Sequence, residues 1–314
     1  MKILTNFLTV AYTIFTFIIT TALNTDAKNI GKIYVFESDG NGFNTKTFFY
    51  DDGEEVVAFD AQFTDAAARQ AIDFLRNKTQ NPIKYLVISH PNPDKLNGIN
   101  VFKKAGAKVI MSNLSAKNLE KVHNYKKYYF VKIAKMFIEE NYPKLPSADI
   151  TFEDSYEIKL ANGGKISLTE LKKSGVATNQ TIAYITTNNA LIVGDLVHHN
   201  AHAWLEGPIV DGNATYNGAN WIAVLKEIQS KFPSDVLIYG GRGEAAKLSV
   251  VIPQQINYLQ KAEEITRKYL SSIGGDKTKV DYAQLQKMFE QTFPAYTLGY
   301  MINYGGYGIV ASLK

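Results

Sequence analysis

The chain has 314 residues, of which 46% are hydrophobic and 20% charged, a composition typical of a folded globular protein and not of a disordered one. Thirty-four Lys and Arg against thirty Asp and Glu give a net charge of +4, which is too small and too evenly spread to predict nucleic-acid binding. The sequence contains no cysteine, which excludes disulfides, cysteine nucleophiles and thiolate zinc sites.

The start of the chain predicts a secretory signal. A positive charge precedes an almost wholly apolar run at 3–23, and Thr25 and Ala27 stand at the −3 and −1 positions of a signal-peptidase site. We assign residues 1–27 to a signal peptide, with an uncleaved membrane anchor as the alternative reading of the same run. Residues 28–314 are expected to form one exported domain, periplasmic or secreted, that meets a membrane only through an uncleaved N-terminal segment.

The first half of the chain alternates predicted strands and helices. Short β-branched and aromatic runs predict strands at 33–37, 45–50, 56–60, 85–89, 108–111 and 150–152. Apolar residues at helical spacing predict helices at 66–78, 96–104 and 115–141. The strand at 85–89 is continuously apolar, which indicates burial on both faces.

The second half repeats this order. Strands are predicted at 156–160, 165–171, 181–186, 190–193 and 236–239. Helices are predicted around 221–232, at 249–272 and at 281–293, and an aromatic C-terminal extension occupies 294–314. Two such halves, each a sheet covered by helices, predict a layered α/β protein.

Several motifs resemble those of the metallo-β-lactamase superfamily. Ser89–Gly98 reads Ser-His-Pro-Asn-Pro-Asp-Lys-Leu-Asn-Gly after a buried strand, and resembles the family's His-X-His-X-Asp-His signature. Gly194-Asp195 resembles the family's Gly-Asp, and Tyr239–Gly243 stands where the family has Gly-His-Gly. The resemblance covers about residues 33–270. It implies a four-layer αββα sandwich with the site at the edge where the two sheets meet.

The resemblance also implies a two-metal site of five histidines and two aspartates, from which this chain departs. The retained positions are His90, Asp94 and Asp195. The other four hold Asn92, Lys95, Val176 and Arg242 where the family has histidine. A catalytic zinc ion needs about three protein ligands and a water, so the retained residues are too few for two such ions.

The substitutions Lys95 and Arg242 place two cations beside two aspartates. Asp94 and Asp195 would repel each other if buried together, and Lys95 and Arg242 can supply the positive charge that a metal supplies in the family. We therefore predict a metal-free site held by these four side chains and expect no cofactor. The alternative is zinc at low occupancy on His90, Asp94 and Asp195.

Three functions remain open at this point, and whether the protein is an enzyme is one of the questions. The first is a pseudoenzyme that binds a small ligand, an anion if Lys95 and Arg242 are not consumed by the aspartates. The second is a hydrolase of an ester, lactone or amide in which His90, Asp94 and Asp195 are catalytic. The third is an envelope scaffold or interaction protein, and a homodimer through the aromatic extension is a further expectation.

The histidines that follow Asp195 are weaker candidates for the functional site. His198, His199 and His202 are predicted to lie on a surface loop, with His202 lining the cleft because His202-Ala-Trp-Leu-Glu is similar to a segment in one branch of the superfamily. The alternative is a rebuilt metal site formed by these histidines together with His90 and Asp195. The aromatic residues of 296–307 are expected to pack on the second sheet, or else to cover the cleft.

Overall fold

A computed structural model describes residues 31–313, and the predicted signal peptide lies outside the described residues. Two six-stranded sheets form the centre of the molecule. The first contains β1 (Lys32–Glu37), β2 (Lys46–Asp51), β3 (Val56–Phe59), β4 (Ile83–Val87), β5 (Lys108–Ser112) and β6 (Ile150–Phe152), in that spatial order. Its first three strands are antiparallel, and β3 to β6 are parallel.

The second sheet runs in the order β14-β13-β10-β9-β8-β7. Its strands are β7 (Ser155–Lys159), β8 (Lys165–Leu171), β9 (Gln180–Ile185), β10 (Ala190–His198), β13 (Leu237–Arg242) and β14 (Ala246–Lys247). The pair β10 and β13 is parallel, and the other pairs are antiparallel. A small hairpin of β11 (Ile209–Val210) and β12 (Asn213–Ala214) lies outside both sheets.

Nine helices of the described chain complete the fold. They are α1 (Asp65–Arg76), α2 (Pro93–Leu96), α3 (Ile99–Lys104), α4 (Asn113–Tyr128), α5 (Gly218–Lys231), α6 (Leu248–Ser272), α7 (Tyr282–Thr292), α8 (Tyr300–Gly305) and α9 (Tyr307–Ser312). Local chemistry sets their ends: Thr64 caps α1 by accepting from the Ala67 amide, and Ser112 caps α4 in the same way. Among residues 31–313, no helix is both long and apolar enough to cross a membrane.

The layers follow from three separate hydrophobic cores. One core lies between the sheets and joins β2 residues such as Phe48 to β10 residues such as Ile192. A second lies between the first sheet and the helices α1 and α3, and a third between the second sheet and the helices α5, α6 and α7. The predicted αββα sandwich is therefore confirmed, and most predicted strands are found within two residues of their expected ends.

The predicted helix over 115–141 is wrong beyond Tyr128. The chain continues as a π-helical turn at Tyr129–Ile133 and reverses at Lys135, whose φ is 52°. Phe130 is buried among the aromatic rings of Phe43 and Phe63, with centroids 5.8 and 4.9 Å away. Tertiary packing of this aromatic side chain overrides the helical periodicity of the sequence.

Candidate functional site

The site lies where the parallel strands of both sheets end. Strands β3, β4, β10 and β13 bring their carboxyl-terminal ends to this edge, and the short helix α2 begins there after β4. Six ionisable side chains meet at this edge: Asp60, His90, Asp94, Lys95, Asp195 and Arg242. All but Asp94 are at least 97% buried, and the Asp94 side chain is 14% exposed.

Four of these residues form one ion-pair network, which consists of Asp94, Lys95, Asp195 and Arg242. The Lys95 Nζ lies 2.7 Å from Asp94 Oδ2 and 2.8 Å from Asp195 Oδ1. Arg242 spans the same two carboxylates at 3.1 Å each. Two cations therefore lie between two anions, and the formal charge of the network is zero.

Arg242 has no free donor. A guanidinium carries five N–H groups, and five acceptors surround it at 2.7 to 3.1 Å. They are the carbonyl oxygens of Phe43 and Gly241, Thr45 Oγ1, Asp94 Oδ2 and Asp195 Oδ1. This pattern fixes the side chain as part of the structure and leaves it nothing to offer an incoming anion.

The backbone around Asp195 permits this close arrangement. A Cβ at residue 241 would overlap the Asp195 carboxylate, so only glycine fits at that position of β13. Gly194 has a φ of +53°, and a Cβ there would lie 2.8 Å from Ser89 Oγ. The Gly-Asp and Gly-Gly-Arg sequences thus have a direct steric explanation.

The network also fixes the charge states of its members. Burial raises the pKa of Asp195, but Lys95 and Arg242 outweigh it and hold that pKa well below its usual range. Asp94 behaves in the same way, with a pKa lowered by Lys95 and Arg242 against the opposing effect of burial. Burial would lower the pKa of Lys95, whereas Asp195 and Asp94 raise it above its usual value.

A second hydrogen-bonded chain runs from Asp60 to His90. The amide and hydroxyl of Ser89 each donate to the Asp60 carboxylate at 2.9 Å, and the Ser89 hydroxyl lies 3.0 Å from His90 Nδ1. The His90 Nε2 has no hydrogen-bond partner and lies 3.9 Å from Asp195 Oδ2. Burial lowers the pKa of His90 to about 4, so the imidazole is neutral near pH 7. Burial raises the pKa of Asp60 to about 7.

This donor set does not fit a metal ion. The ammonium of Lys95 and the guanidinium of Arg242 occupy the ligating directions of the two aspartates, and neither cation can ligate while protonated. Within the described part of the chain, no cluster of three or more His, Asp or Glu side chains is arranged to hold a metal ion. We therefore derive no chemical step through zinc.

A small cavity adjoins the network. Its volume is about 30 Å³, room for roughly two water molecules, and its polar wall includes Asn92, Asp94, Asp195 and His198. His198 is 3% exposed, and neither of its ring nitrogens has a hydrogen-bond partner. Burial lowers the pKa of His198 to about 3, so this ring is neutral and offers one donor and one acceptor.

A largely aromatic roof covers one side of the cavity. Phe43, Phe63, Phe130, Trp204 and Met301 line its apolar side. The C-terminal extension supplies part of this roof, since Met301 belongs to the same cluster, and the neighbouring Ile302 instead joins the core under the second sheet. The extension thus both packs on the second sheet and covers one side of the cleft, and a homodimer contact through it stays a prediction.

The sequence reasoning missed one buried ion pair in the cavity wall. Lys126 contacts Glu206, and its Nζ lies 5.3 Å from the ring centroid of Trp204, whose indole N–H donates to Glu206 at 3.0 Å. Lys126 lies on α4, and Glu206 follows β10. The position of Lys126 in the apolar stripe of a helix could have indicated a buried charge. Nothing in the sequence pairs this lysine with Glu206, which lies 80 residues further along the chain.

Three predicted residues lie away from the network. Val176 is buried in the core under the second sheet. His202 is fully buried among aromatic rings, 3.2 Å from the hydroxyl of Tyr258, and does not line the cavity. The expectation of surface-loop histidines is therefore wrong for His198 and His202, because β10 extends to His198 and the chain after it turns inward. Among the three histidines His198, His199 and His202, only His199 is partly exposed. Its Nδ1 contacts the Glu244 carbonyl.

The comparisons with known proteins agree with this fold. Solved structures similar to the chain include a metallo-beta-lactamase from Pontibacter korlensis, with 16% identity and a TM-score of 0.54 over 73% of this chain and 94% of that one. The DIM-1 metallo-beta-lactamase exposed to ceftazidime shows 14% identity and a TM-score of 0.54 over 75% and 95% of the two chains. TMB-1 shows 16% identity and a TM-score of 0.52 over 73% and 98%.

At these identities the structural likeness shows the fold alone. A comparison with curated proteins found no match. The family model of the metallo-beta-lactamase superfamily matches residues 40–241, which is more than half of the chain. The matched range includes Asp94, Lys95 and Asp195 and ends one residue before Arg242. The chain therefore belongs to the metallo-beta-lactamase superfamily.

Proposed function

We propose that this protein is a metal-independent, non-catalytic member of its superfamily that is exported and binds a small ligand in the cleft. The observation that carries the proposal is the position of Lys95 Nζ, within 2.8 Å of both aspartates that a metal would need. The two cations neutralise Asp94 and Asp195 and take the place of a metal. The signal at 1–27 supports export to the periplasm or beyond.

The cleft offers a ligand a specific set of contacts. Asn92, Lys126 and His198 line the cavity, and His198 presents two unpaired ring nitrogens. The donors of Arg242 are all bonded within the protein, so an anionic group would meet Lys126, whose ammonium has three donors and is paired with Glu206. The apolar side of the ligand would lie against roof side chains such as Phe130 and Met301.

A residual hydrolase is the second candidate, and one observation favours it. The chain Asp60–Ser89–His90 ends on a neutral imidazole with an unpaired Nε2, as a general base requires. Against this, that nitrogen faces Asp195, and His90 does not line the cavity. Turnover of an ester, lactone or amide that is lost in His90→Gln, with the fold intact, would decide for the hydrolase.

The proposal predicts that metal binding can be restored by removing the two cations. In the double variant Lys95→His/Arg242→His, the new imidazoles together with Asp94 and Asp195 supply four ligands, as zinc requires. We expect the double variant to bind about one zinc per chain and to unfold at a higher temperature with zinc than without. The unmodified protein should show no zinc-dependent shift, and His198→Gln serves as a control outside the four positions.

The double variant could show circular dichroism like that of the unmodified protein and yet gain no zinc-dependent shift in its unfolding temperature. This result would contradict the assignment of residues 95 and 242 to the family's metal-ligand positions. A zinc-dependent shift already present in the unmodified protein would contradict the metal-free site itself.

A further inference from the structure

Exposed apolar side chains are concentrated in one segment of the molecule. Tyr128, Ile133, Met136, Ile138 and Leu145 are 61%, 59%, 37%, 59% and 44% exposed, and we call these five residues the apolar patch. Among the other residues of 31–313, only Val210 and Val250 are large apolar side chains with comparable exposure. Scattered exposed apolar residues need no explanation, but a cluster of this kind marks an interaction surface.

The segment is compact, which brings the patch together. After the π-helical turn the chain folds back, so that the Met136 amide donates to the Phe130 carbonyl at 2.9 Å. The Glu139 carboxylate reaches both Lys127, at 2.6 Å, and Lys132, at 3.6 Å. Three members of the patch, Tyr128, Ile133 and Ile138, are sequence neighbours of these three charged residues, so their backbones are held close to one carboxylate.

The inward face of the segment is formed by residues outside the patch. Its inward side chains Phe130, Phe137 and Tyr142 already supply an aromatic face, with Phe137 and Tyr142 ring centroids 5.2 Å apart. The outward residues add apolar surface that stays in water, which is unfavourable unless a partner covers it.

The rim of the patch is positively charged. The same part of the chain carries five exposed lysines, at Lys117, Lys121, Lys132, Lys135 and Lys144, of which two lie between members of the patch and one directly precedes Leu145. The exposed acidic residues of the same segment are Glu120, Glu139 and Glu140, and Glu139 is already paired with two lysines. Aromatic and aliphatic side chains flanked by lysines are typical of segments that lie in the interface of an anionic membrane.

We propose that the apolar patch docks the folded protein onto an anionic lipid surface. Charge favours this occupant: two copies of the chain would bring two lysine rims together, whereas anionic headgroups complement them. Phe130 connects the patch to the cavity roof, so docking places this side of the roof beside the lipid. The proposal does not depend on the absence of a metal or on the ligand of the cleft.

Depth-dependent quenching tests the docking surface directly. Tyr128→Trp is mixed with vesicles of phosphatidylcholine containing about one third phosphatidylglycerol, with or without brominated acyl chains. We expect brominated lipid to quench the new tryptophan, beyond the signal of the two native tryptophans in the unmodified protein. Val210→Trp is the control, since Val210 is an exposed apolar residue outside the segment, with 44% of its surface accessible. Equal quenching of the two variants would overturn the proposal, even if the N-terminal segment binds the vesicles.

Two further pairs of variants separate the apolar and the charged contributions. Ile133→Ser/Ile138→Ser is expected to lower the vesicle partition coefficient about tenfold relative to Val210→Ser/Val250→Ser, because two aliphatic side chains no longer enter the interface. Lys132→Gln/Lys135→Gln should reduce binding about tenfold on anionic vesicles, relative to Lys268→Gln/Lys287→Gln on helices α6 and α7. All variants keep the same N-terminus, so their differences report the folded surface.

The remaining outcomes contradict the docking of lipid. Partition coefficients of the patch variants that equal those of their controls would exclude the patch as a membrane surface. If Ile133→Ser/Ile138→Ser instead converts a dimer to a monomer in sedimentation without vesicles, the surface binds a second copy of the chain.

Discussion

Replacement of Lys95 by methionine removes one buried cation and keeps the shape of its side chain. Lys95 is fully buried, and the variant leaves Asp94 and Asp195 with only Arg242 between them. Removal of one partner from a buried ion pair costs about 3–5 kcal/mol, and the low end of about 3 kcal/mol applies because Arg242 still contacts both carboxylates. In a protein of this size that corresponds to a melting temperature lower by roughly 5 °C.

Urea unfolding followed by circular dichroism in the presence of a chelator measures this loss. The matched control is Lys165→Met, whose partner Glu157 lies 2.8 Å away on the surface, a type of pair worth about 0–1 kcal/mol. A double-mutant cycle with Asp195→Asn isolates the interaction, for which we expect a coupling free energy of at least about 2 kcal/mol. A loss below about 1 kcal/mol in Lys95→Met, or a coupling near zero, would refute the view that Lys95 supplies the charge of a metal.

Two further predictions concern pH. Because burial raises the pKa of Asp60 from 3.8 to about 7, its stabilising contribution is present below pH 4 and is lost as the pH rises through 7. As the pH rises from 5 to 8, the free energy of unfolding of Asp60→Asn, measured in urea, should therefore increase relative to that of the unmodified protein. A difference between the two proteins that does not change with pH would contradict this. The depressed pKa of His198, about 3 against an ordinary 6.5, gives a contribution that is present above pH 6.5 and lost on acidification. Between pH 6.5 and pH 4.5, the free energy of unfolding of His198→Gln should fall by about 2 kcal/mol less than that of the unmodified protein. An equal fall in the two proteins would contradict this.

The fold could be predicted from the sequence because its strands and helices carry strong periodic patterns. The continuous apolar run before Ser89 and the capping residue Thr64 place β4 and α1 without any tertiary information. The C-terminal end of helix α4 could not be predicted, because the aromatic contacts of Phe130 with residues far away in the sequence decide where the helix stops.

The ion-pair network was visible as a set of substitutions at family positions, and its four members meet in the structure. The five hydrogen bonds of Arg242 were not visible, since two of their acceptors are backbone carbonyls. The cavity was also hidden from the sequence: Lys126 and Glu206 meet across 80 residues, and β10 extends far enough to bury His198. Contacts of this kind depend on side-chain packing between distant elements, which no local pattern encodes.

Metal content tests the central claim most directly. The protein is purified without chelator and without a histidine tag, and zinc and manganese are measured per chain before and after incubation with each metal. The ion-pair network predicts less than about 0.1 metal ion per chain in both cases, because Lys95 and Arg242 occupy the ligating positions of Asp94 and Asp195. About one metal ion per chain that is lost in Asp195→Ala would contradict the account and show that the site binds metal.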